Sequence, residues 1–326
     1  MRISIRKRKC FFRKGVGVMS RSSELTDAKR ARKDEFYTQY SDIAKEVAFH
    51  KDRFEDKIVL CNCDEPFKSE FFNYFVKNFT ELKLLGLICL GYKGRGDGTV
   101  VRYDGNLFSF GKVEGDGRYL AGDFRSRDSV ALLDEADIVV TNPPFSLFRE
   151  YISLLVSHGK DFLVLGNINA VTYKEVFPLI RDGKVWLGAS IHSGDRKFHV
   201  PDGYPLEASG CGFDGDGRRF IMVKGVRWFT NLDYPERYEG LGLSARYSKK
   251  RYRKFDNCDA VNVDRTKDIP KDYGGVMGVP ITFLDKYSPR QFEILGLDKD
   301  FTADRSRGRV GGKTRYARVF IRNREV

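Results

Sequence analysis

The chain has 326 residues, enough to bury a large core, and its 58 Lys and Arg outnumber 45 Asp and Glu for a net charge of +13. No apolar stretch approaches the ~20 residues that span a bilayer, and the basic N-terminus lacks the apolar segment of a secretory signal. A membrane or secreted protein is therefore not expected, and the cytoplasm is the expected compartment. Six cysteines (Cys10, Cys61, Cys63, Cys89, Cys211, Cys258) form no Cys-x-x-Cys pair and the four histidines are scattered, so no metal site is expected. The charge is segregated. Residues 1–34 carry 12 Lys and Arg against 3 Asp and Glu, residues 237–326 carry 21 against 12, and the stretch between them carries 25 against 30. An acidic middle between two basic ends fits an enzyme whose appendages meet a polyanion.

In chain order, residues 1–34 lack hydrophobic periodicity and read as a flexible basic arm. A helix is predicted over 41–49 with Ser41 as N-cap, and an apolar run at 57–62 as the first core strand. Phe71, Phe72, Phe75 and Phe79 share one face of a helix over 68–79. A second strand, 84–90, leads into a Gly-rich loop at 91–98, and 100–110 alternates as a hairpin. A short helical segment follows Asp123 and Phe124. The acidic turn and apolar run at 134–141 read as a buried strand, further strands are predicted at 162–167 and 185–188, a helix from 146 to 156, and a long loop over 190–217. Residues 219–230 read as two strands of a hairpin around Gly225. Beyond 233 the chain is basic and loop-rich with one helix, started by a capping box at Ser288-Pro289-Arg290-Gln291 and stopped at Gly296. Strands alternating with helices make this an α/β fold.

The tetrapeptide Asn142-Pro143-Pro144-Phe145 sits where a buried strand hands over to a helix, the usual place for a ligand in an open α/β sheet. Two prolines stiffen the loop and offer carbonyls without competing N–H groups. Beside the Asn142 amide oxygen they make a row of acceptors with an aromatic ring at its edge. Such a row suits a planar group bearing NH2, the substrate of amino-group methylation. No strong base is needed, and an Asp at position 142 would keep the acceptor, so that exchange is expected to be mild. His192 and His199 lie in the 190–217 loop and are expected to face solvent or a polyanion instead of acting as general bases. Gly312-Lys313-Thr314 is not a phosphate-binding loop, because Arg307 stands where its first glycine belongs and no apolar strand leads in.

These motifs resemble the EcoRI-type adenine-specific DNA methyltransferases, S-adenosylmethionine-dependent N6-adenine methyltransferases. The resemblance runs from about Lys33 to the C-terminus. It rests on Phe36-Tyr37-Thr38-Gln39, on Val59-Leu60-Cys61-Asn62-Cys63-Asp64-Glu65-Pro66, on Thr141-Asn142-Pro143-Pro144-Phe145 and on Gly278-Val279-Pro280-Ile281-Thr282-Phe283-Leu284. It implies a Rossmann-like methyltransferase sheet over 35–232 and a DNA target-recognition region over 233–326. It also implies S-adenosyl-L-methionine as cofactor, held by Phe36, Tyr37, Thr38, Cys61, Asn62, Asp64, Asp123 and Phe124. Asn142, Pro143, Pro144 and Phe145 would be catalytic, receiving an adenine rotated out of the duplex. Two departures stand out: the first strand does not end in the common Phe-x-Gly-x-Gly loop, and Leu90-Gly91-Tyr92 occupies the place of the ribose-binding acid. The expected partner is double-stranded DNA, contacted through Lys249, Lys250, Arg251, Arg253, Lys254, Arg305, Arg307, Arg309, Lys313 and Arg315. The resemblance implies either a cognate restriction endonuclease system as a further partner or an orphan enzyme, and a monomer that is nucleoid-associated while bound to DNA is expected. The alternatives are methylation of an RNA base or a protein glutamine, or a non-catalytic nucleic-acid-binding protein on the same scaffold.

Overall fold

The computed structural model describes residues 36–91, 98–206 and 210–326. The basic arm at 1–34, with Cys10, and most of the Gly-rich loop at 91–98 lie outside the described residues. The first helix, α1 (Tyr40–Val47), starts one residue before the expected cap, so Gln39 stands at the N-cap and Ser41 is inside. The Tyr40 ring packs on Tyr74 at 5.3 Å and its hydroxyl accepts from Asn78 at 3.1 Å, which draws Tyr40 into the first turn. Strand β1 (Ile58–Cys61) leads to α2 (Glu70–Lys77), capped by the Ser69 hydroxyl, with Phe71, Phe72 and Phe75 buried as their spacing requires. Next come β2 (Gly86–Gly91) and the antiparallel pair β3 (Gly98–Tyr103) and β4 (Phe108–Val113), the expected hairpin. Helix α3 (Arg127–Glu135) is capped by Ser126, β5 (Ile138–Thr141) is wholly buried, and α4 (Phe148–Ser157) packs back through Phe148, Tyr151, Ile152 and Leu155. Strand β6 (Asp161–Asn167), the short α5 (Phe177–Arg181) and β7 (Trp186–Leu187) complete the alternation.

Three strands then form a small antiparallel sheet: β8 (Asp195–His199), β9 (Gly212–Phe213) and β10 (Arg219–Lys224), in the order β8-β10-β9. The stretch expected as loop at 190–217 thus holds two strands. Strand β11 (Val226–Thr230) follows Gly225 but does not pair with β10. It enters the main sheet antiparallel to β6 and β7, so the expected hairpin around Gly225 is instead a crossing between two sheets. Gly225 makes that crossing with φ near +70°, a conformation open to glycine. The main sheet has the order β4-β3-β2-β1-β5-β6-β11-β7, with β2, β1, β5 and β6 parallel. It is a Rossmann-like α/β sheet.

The C-terminal part holds a third, four-stranded sheet where one helix was expected. Its strands are β12 (Val261–Asn262), β13 (Met277–Pro280), β14 (Phe292–Leu297) and β17 (Arg318–Asn323), and β15 (Arg309–Val310) with β16 (Lys313–Thr314) forms a separate small hairpin. The sheet order is β12-β13-β17-β14. The predicted helix at 288–296 is therefore wrong. Ser288 and Gln291 mimic a capping box, but the Ser288 hydroxyl donates to the Tyr238 carbonyl, and Gln291 exchanges bonds with the Leu241 backbone at 2.7 and 3.1 Å. Phe292 and Ile294 then bury on one side in period two, which decides for a strand.

One apolar cluster joins the main sheet to the C-terminal sheet, running from Leu60 and Val139 to Met277, Phe283 and Ile321. A buried ion pair crosses the same boundary: Arg227 on β11 donates to both carboxylate oxygens of Asp285 at 2.6 and 2.9 Å and to the His192 carbonyl. Arg227→Ala would strand the Asp285 charge and should lower the unfolding free energy in urea by about 3–5 kcal/mol. Arg227→Met paired with Asp285→Leu should cost far less.

Candidate active site

Strand order reverses between β1 and β5: from β1 the chain builds outward through β2, and from β5 outward through β6. Because β1 and β5 are parallel neighbours, the loops at 62–66 and 142–145 leave the same edge of the sheet side by side. The contacts between them are polar and buried. The Cys63 N–H donates to the Thr141 hydroxyl at 3.2 Å, and that hydroxyl donates to the Asp64 carboxylate. The Ser69 hydroxyl reaches the other Asp64 oxygen at 2.8 Å while its own oxygen caps α2. The Cys89 thiol on β2 donates to the Asp64 carbonyl at 3.5 Å. Burial lifts the Asp64 carboxyl to about 6 against the pull of these hydrogen bonds. Burial likewise pushes the Cys61, Cys63 and Cys89 thiols up, so all three stay protonated and none is an activated nucleophile.

Asn142 is only 7% exposed. Its amide nitrogen donates to the Phe36 carbonyl at 2.8 Å, and its amide oxygen is buried without a partner. The Phe36 bond fixes which way the amide faces. Pro144, with φ near -54°, opens a 3-10 turn at Phe145–Leu147 ahead of α4. The Phe145 ring meets Phe36 edge to face at 6.1 Å, and Phe36 also touches Phe198 and Tyr204, so four aromatic rings gather beside the Asn142 loop.

The other expected cofactor residues converge on the same edge. Tyr37 pairs backbone to backbone with His199 on β8 at 2.9 and 3.0 Å, and Thr38 is 3% exposed with an unpartnered hydroxyl. The Asn62 amide oxygen accepts from the Tyr151 hydroxyl, while its amide nitrogen is buried and unpartnered. Tyr151 also stands edge to face with Phe124 at 4.9 Å, joining the 123–124 segment to the end of β1. The Asp123 carboxylate is gripped by Arg125 through two bonds of 2.9 Å, and Arg125 also reaches Glu150 at 2.7 Å. The missing ribose acid has a structural counterpart: β2 ends at Gly91 and β3 runs back beside it with Thr99 opposite Gly91. Sequence reading missed Thr141 and Tyr151. The one available signal was a hydroxyl on an otherwise apolar strand or helix face, which needs a partner once buried.

His199 does not face solvent as expected. Its Nε2 lies 2.7 Å from Asp214 and its Nδ1 3.2 Å from Gln39, tying Phe36-Tyr37-Thr38-Gln39 to the small sheet. The expected DNA contacts are exposed except for the half-buried Arg315, and seven of them fall in two groups. Lys249, Lys250 and Arg251 sit in one turn, with Arg251 held by Asp268 at 3.0 Å. Arg253 lies against Gly311, and Asp256 and Asn257 bond along 307–312. The Asn257 amide donates to the Arg307 carbonyl and accepts from the Arg309 N–H. The Asp256 carboxylate accepts from the Gly312 N–H and the Asp256 N–H donates to the Arg309 carbonyl, which gathers Arg253, Arg307, Arg309 and Lys313. Gly311 and Gly312, both at positive φ, form the two-residue turn of the β15–β16 hairpin, so this segment is no phosphate loop. Arg307 is within 3.5 Å of Asp298 and Arg309 within 3.5 Å of Asp304. No group of three or more His, Cys, Asp or Glu that could hold a metal occurs among the described residues, and no helix among them is long and apolar enough to cross a membrane.

A parallel switch point carrying buried, unsatisfied amide groups and an Asn-Pro-Pro-Phe loop defines a Rossmann-like methyltransferase of amino groups. Residues 24–324 match the family described as adenine-specific methyltransferase EcoRI. The chain is 43% identical to the Type II methyltransferase M.EcoRI of Escherichia coli, covering 93% of this chain and 97% of that one. It is 38% identical to M.MpnI of Mycoplasma pneumoniae (91% and 97% covered) and 37% to M.MgeORF184P of Mycoplasma genitalium (92% and 98%). The chain belongs to the EcoRI family of adenine-specific DNA methyltransferases.

The bond from Asn142 to the Phe36 carbonyl reverses one expectation. A carboxylate at 142 would set an anionic oxygen against that carbonyl and leave the carbonyl without its donor, at a cost of roughly 1–3 kcal/mol. Asn142→Asp should therefore slow single-turnover methylation about tenfold or more. A wild-type rate would show that Phe36 does not orient the amide.

Proposed function

We propose that this chain transfers a methyl group from S-adenosyl-L-methionine to N6 of an adenine rotated out of duplex DNA, within a target sequence shared with a cognate endonuclease. The observation that carries the reading is the buried Asn142 amide oxygen, oriented by Phe36 and left without a partner. A buried acceptor left unpaired costs free energy, and an incoming NH2 group removes that cost. The cofactor fits the same edge on separate grounds: the Thr38 hydroxyl and the Asn62 amide nitrogen are also buried and unpaired, on the two segments that flank the Asn142 loop. Phe36, Tyr37, Thr38, Cys61 and Asn62 would hold it, with Asp123 and Phe124 receiving its adenine end. When bound, it supplies a methyl group already activated on a sulfonium.

What remains for the protein is alignment and charge placement. The N6 lone pair is delocalised into the adenine ring. Hydrogen bonds from N6–H to the Asn142 amide oxygen and the Pro143 carbonyl favour a pyramidal nitrogen whose lone pair faces the methyl. They also stabilise the positive charge that develops there. The departing proton passes to water after transfer, so no buried base is required. Phe145 supports the face of the base, braced by Phe36. Rotating the base out of the stack costs a few kcal/mol, drawn from contacts elsewhere on the duplex.

Incubation with tritiated cofactor and separate DNA, RNA and protein substrates tests the reading. Label should enter duplex DNA on adenine, and label confined to RNA or protein would overturn it. Asn62→Ala removes an amide that the cofactor would satisfy and should weaken cofactor binding by about 1–3 kcal/mol, seen in equilibrium titration, with DNA affinity unchanged.

DNA affinity should fall with salt at a slope of about -0.9 per phosphate contacted. Arg307 and Arg309 already face carboxylates, and Arg305 has no such ion pair among the described residues. Arg305→Ala should thus lower affinity and salt slope more than Arg309→Ala. A larger effect at Arg309 would place the DNA contact on the β15–β16 hairpin itself.

A further inference from the structure

The Asp64 carboxylate is spent on protein. One oxygen accepts from Ser69 at 2.8 Å, the other from the Thr141 hydroxyl, and the Asn142 backbone N–H points at the same carboxylate. Thr141 has one proton to give, and its oxygen already accepts from the Cys63 N–H, so its donation runs one way, to Asp64. We propose that Asp64 is a positioning residue for methyl transfer, setting the place and direction of the Asn142-Pro143 acceptors through Thr141 and the Asn142 amide, and not a ligand of the cofactor. The proposal rests on the function read above. It follows from what an isosteric amide would do at position 64. Such an amide presents one oxygen and one NH2. If the NH2 faces Thr141, the threonine proton loses its acceptor and the Asn142 N–H meets another donor. If it faces Ser69, a second donor meets the hydroxyl that caps α2. Either arrangement leaves a buried donor unpaired at the base of the catalytic loop.

The groups facing this carboxylate are the thiols of Cys61, Cys63 and Cys89 and the phenol of Tyr151, all held neutral by burial. With its carboxyl lifted to about 6, Asp64 is ionised at neutral pH and takes a proton as pH falls through about 6. Protonation puts a donor where Thr141 or Ser69 needs an acceptor, so transfer should slow there. Stability moves the other way. The folded-state value lies above the ordinary 3.8, so the folded protein binds this proton more tightly than the unfolded chain. On this group's account the fold therefore gains stability as pH drops from about 6 towards 3.8. A merely structural carboxylate would not separate rate from stability in this way.

The test uses the full chain with Asp64→Asn, Thr141→Val and Thr141→Ser. It follows single-turnover methylation of DNA at saturating cofactor from neutral pH down to about pH 5, with cofactor titration and urea unfolding alongside. Asp64→Asn and Thr141→Val should each slow transfer about 100-fold, as for a catalytic group displaced by about 1 Å, with cofactor affinity close to wild type. Thr141→Ser should recover most of what Thr141→Val loses, and Asp64→Asn should lack the acid inflection of the wild type. A wild-type rate in Asp64→Asn, or a defect that disappears at saturating cofactor, overturns the proposal. Should Asp64→Asn fail to fold, equal rates in Thr141→Val and Thr141→Ser overturn it. A wild-type chain that methylates no DNA overturns the functional reading and this proposal with it, whereas an active wild type with unaffected variants overturns this proposal alone.

Discussion

The ends of β1 and β5 are held together by polar groups that have been taken out of water and must satisfy one another. Neighbouring parallel strands lie about 4.8 Å apart, so residues just past their ends are within reach of a small molecule laid across both. That proximity becomes a site because the loops cannot drift. Cys63, Thr141, Asp64 and Ser69 form one buried chain of hydrogen bonds, and such bonds gain strength where the dielectric is low. Two prolines then limit what the backbone can do after Asn142. Thr38, Asn62 and Asn142 can keep unpaired buried groups only because the rest of the edge is so fully paired.

The site could be read in the sequence to the extent that its chemistry is local. A strand, Asn-Pro-Pro-Phe and a helix are contiguous, and the loop does sit at a strand end beside the loop of β1. The Phe face of α2 and the pairing of β3 with β4 were legible for the same reason, since periodicity and turn spacing are short-range signals. What escaped depended on long-range partners. Ser288 and Gln291 make a local capping pattern, yet their bonds go to Tyr238 and Leu241, some fifty residues away in sequence, and the following residues join a strand on β17. Gly225 marks a turn in the sequence, but only the pairing of β11 with β6 shows that the chain changes sheets there. The hydroxyls of Thr141 and Tyr151 were a weak signal, because one hydroxyl on an apolar element is common and its partner is set by tertiary packing.

Charge was the least legible quantity. The C-terminal excess of Lys and Arg is real, but much of it is committed: Arg251 to Asp268, Lys254 to Asp259, Arg307 to Asp298 and Arg318 to Asp264. A sequence count gives the field far from the molecule, while ion pairing decides which cations remain free to meet a phosphate. Exposed pairs such as Lys254 with Asp259 contribute little to stability and can exchange for a phosphate cheaply. Arg307 is different, because Asp298 is fully buried and also accepts from the Gly308 N–H, so removing this cation disturbs the chain beside it.

The Asn142 amide is also connected to the small sheet. Asn142 is oriented by the Phe36 carbonyl; the next residue, Tyr37, pairs with His199 on β8, and His199 is fixed by Asp214 and Gln39. Phe36 packs on Phe198 of the same strand. A load on β8 therefore reaches Asn142 through one backbone pairing and one amide hydrogen bond, and loads on β10 and β9 reach β8 through the strand pairings of the small sheet. The amide fits this arrangement where an ionised carboxylate would not, since a carboxylate has no proton to donate to the Phe36 carbonyl. Residues 36–39 thus serve two surfaces at once. One is the edge beside the Asn142 loop, through the buried Thr38, and the other is the small sheet, through Tyr37 and Gln39. A chain so placed makes the direction of the Asn142 amide oxygen depend on how the small sheet is seated.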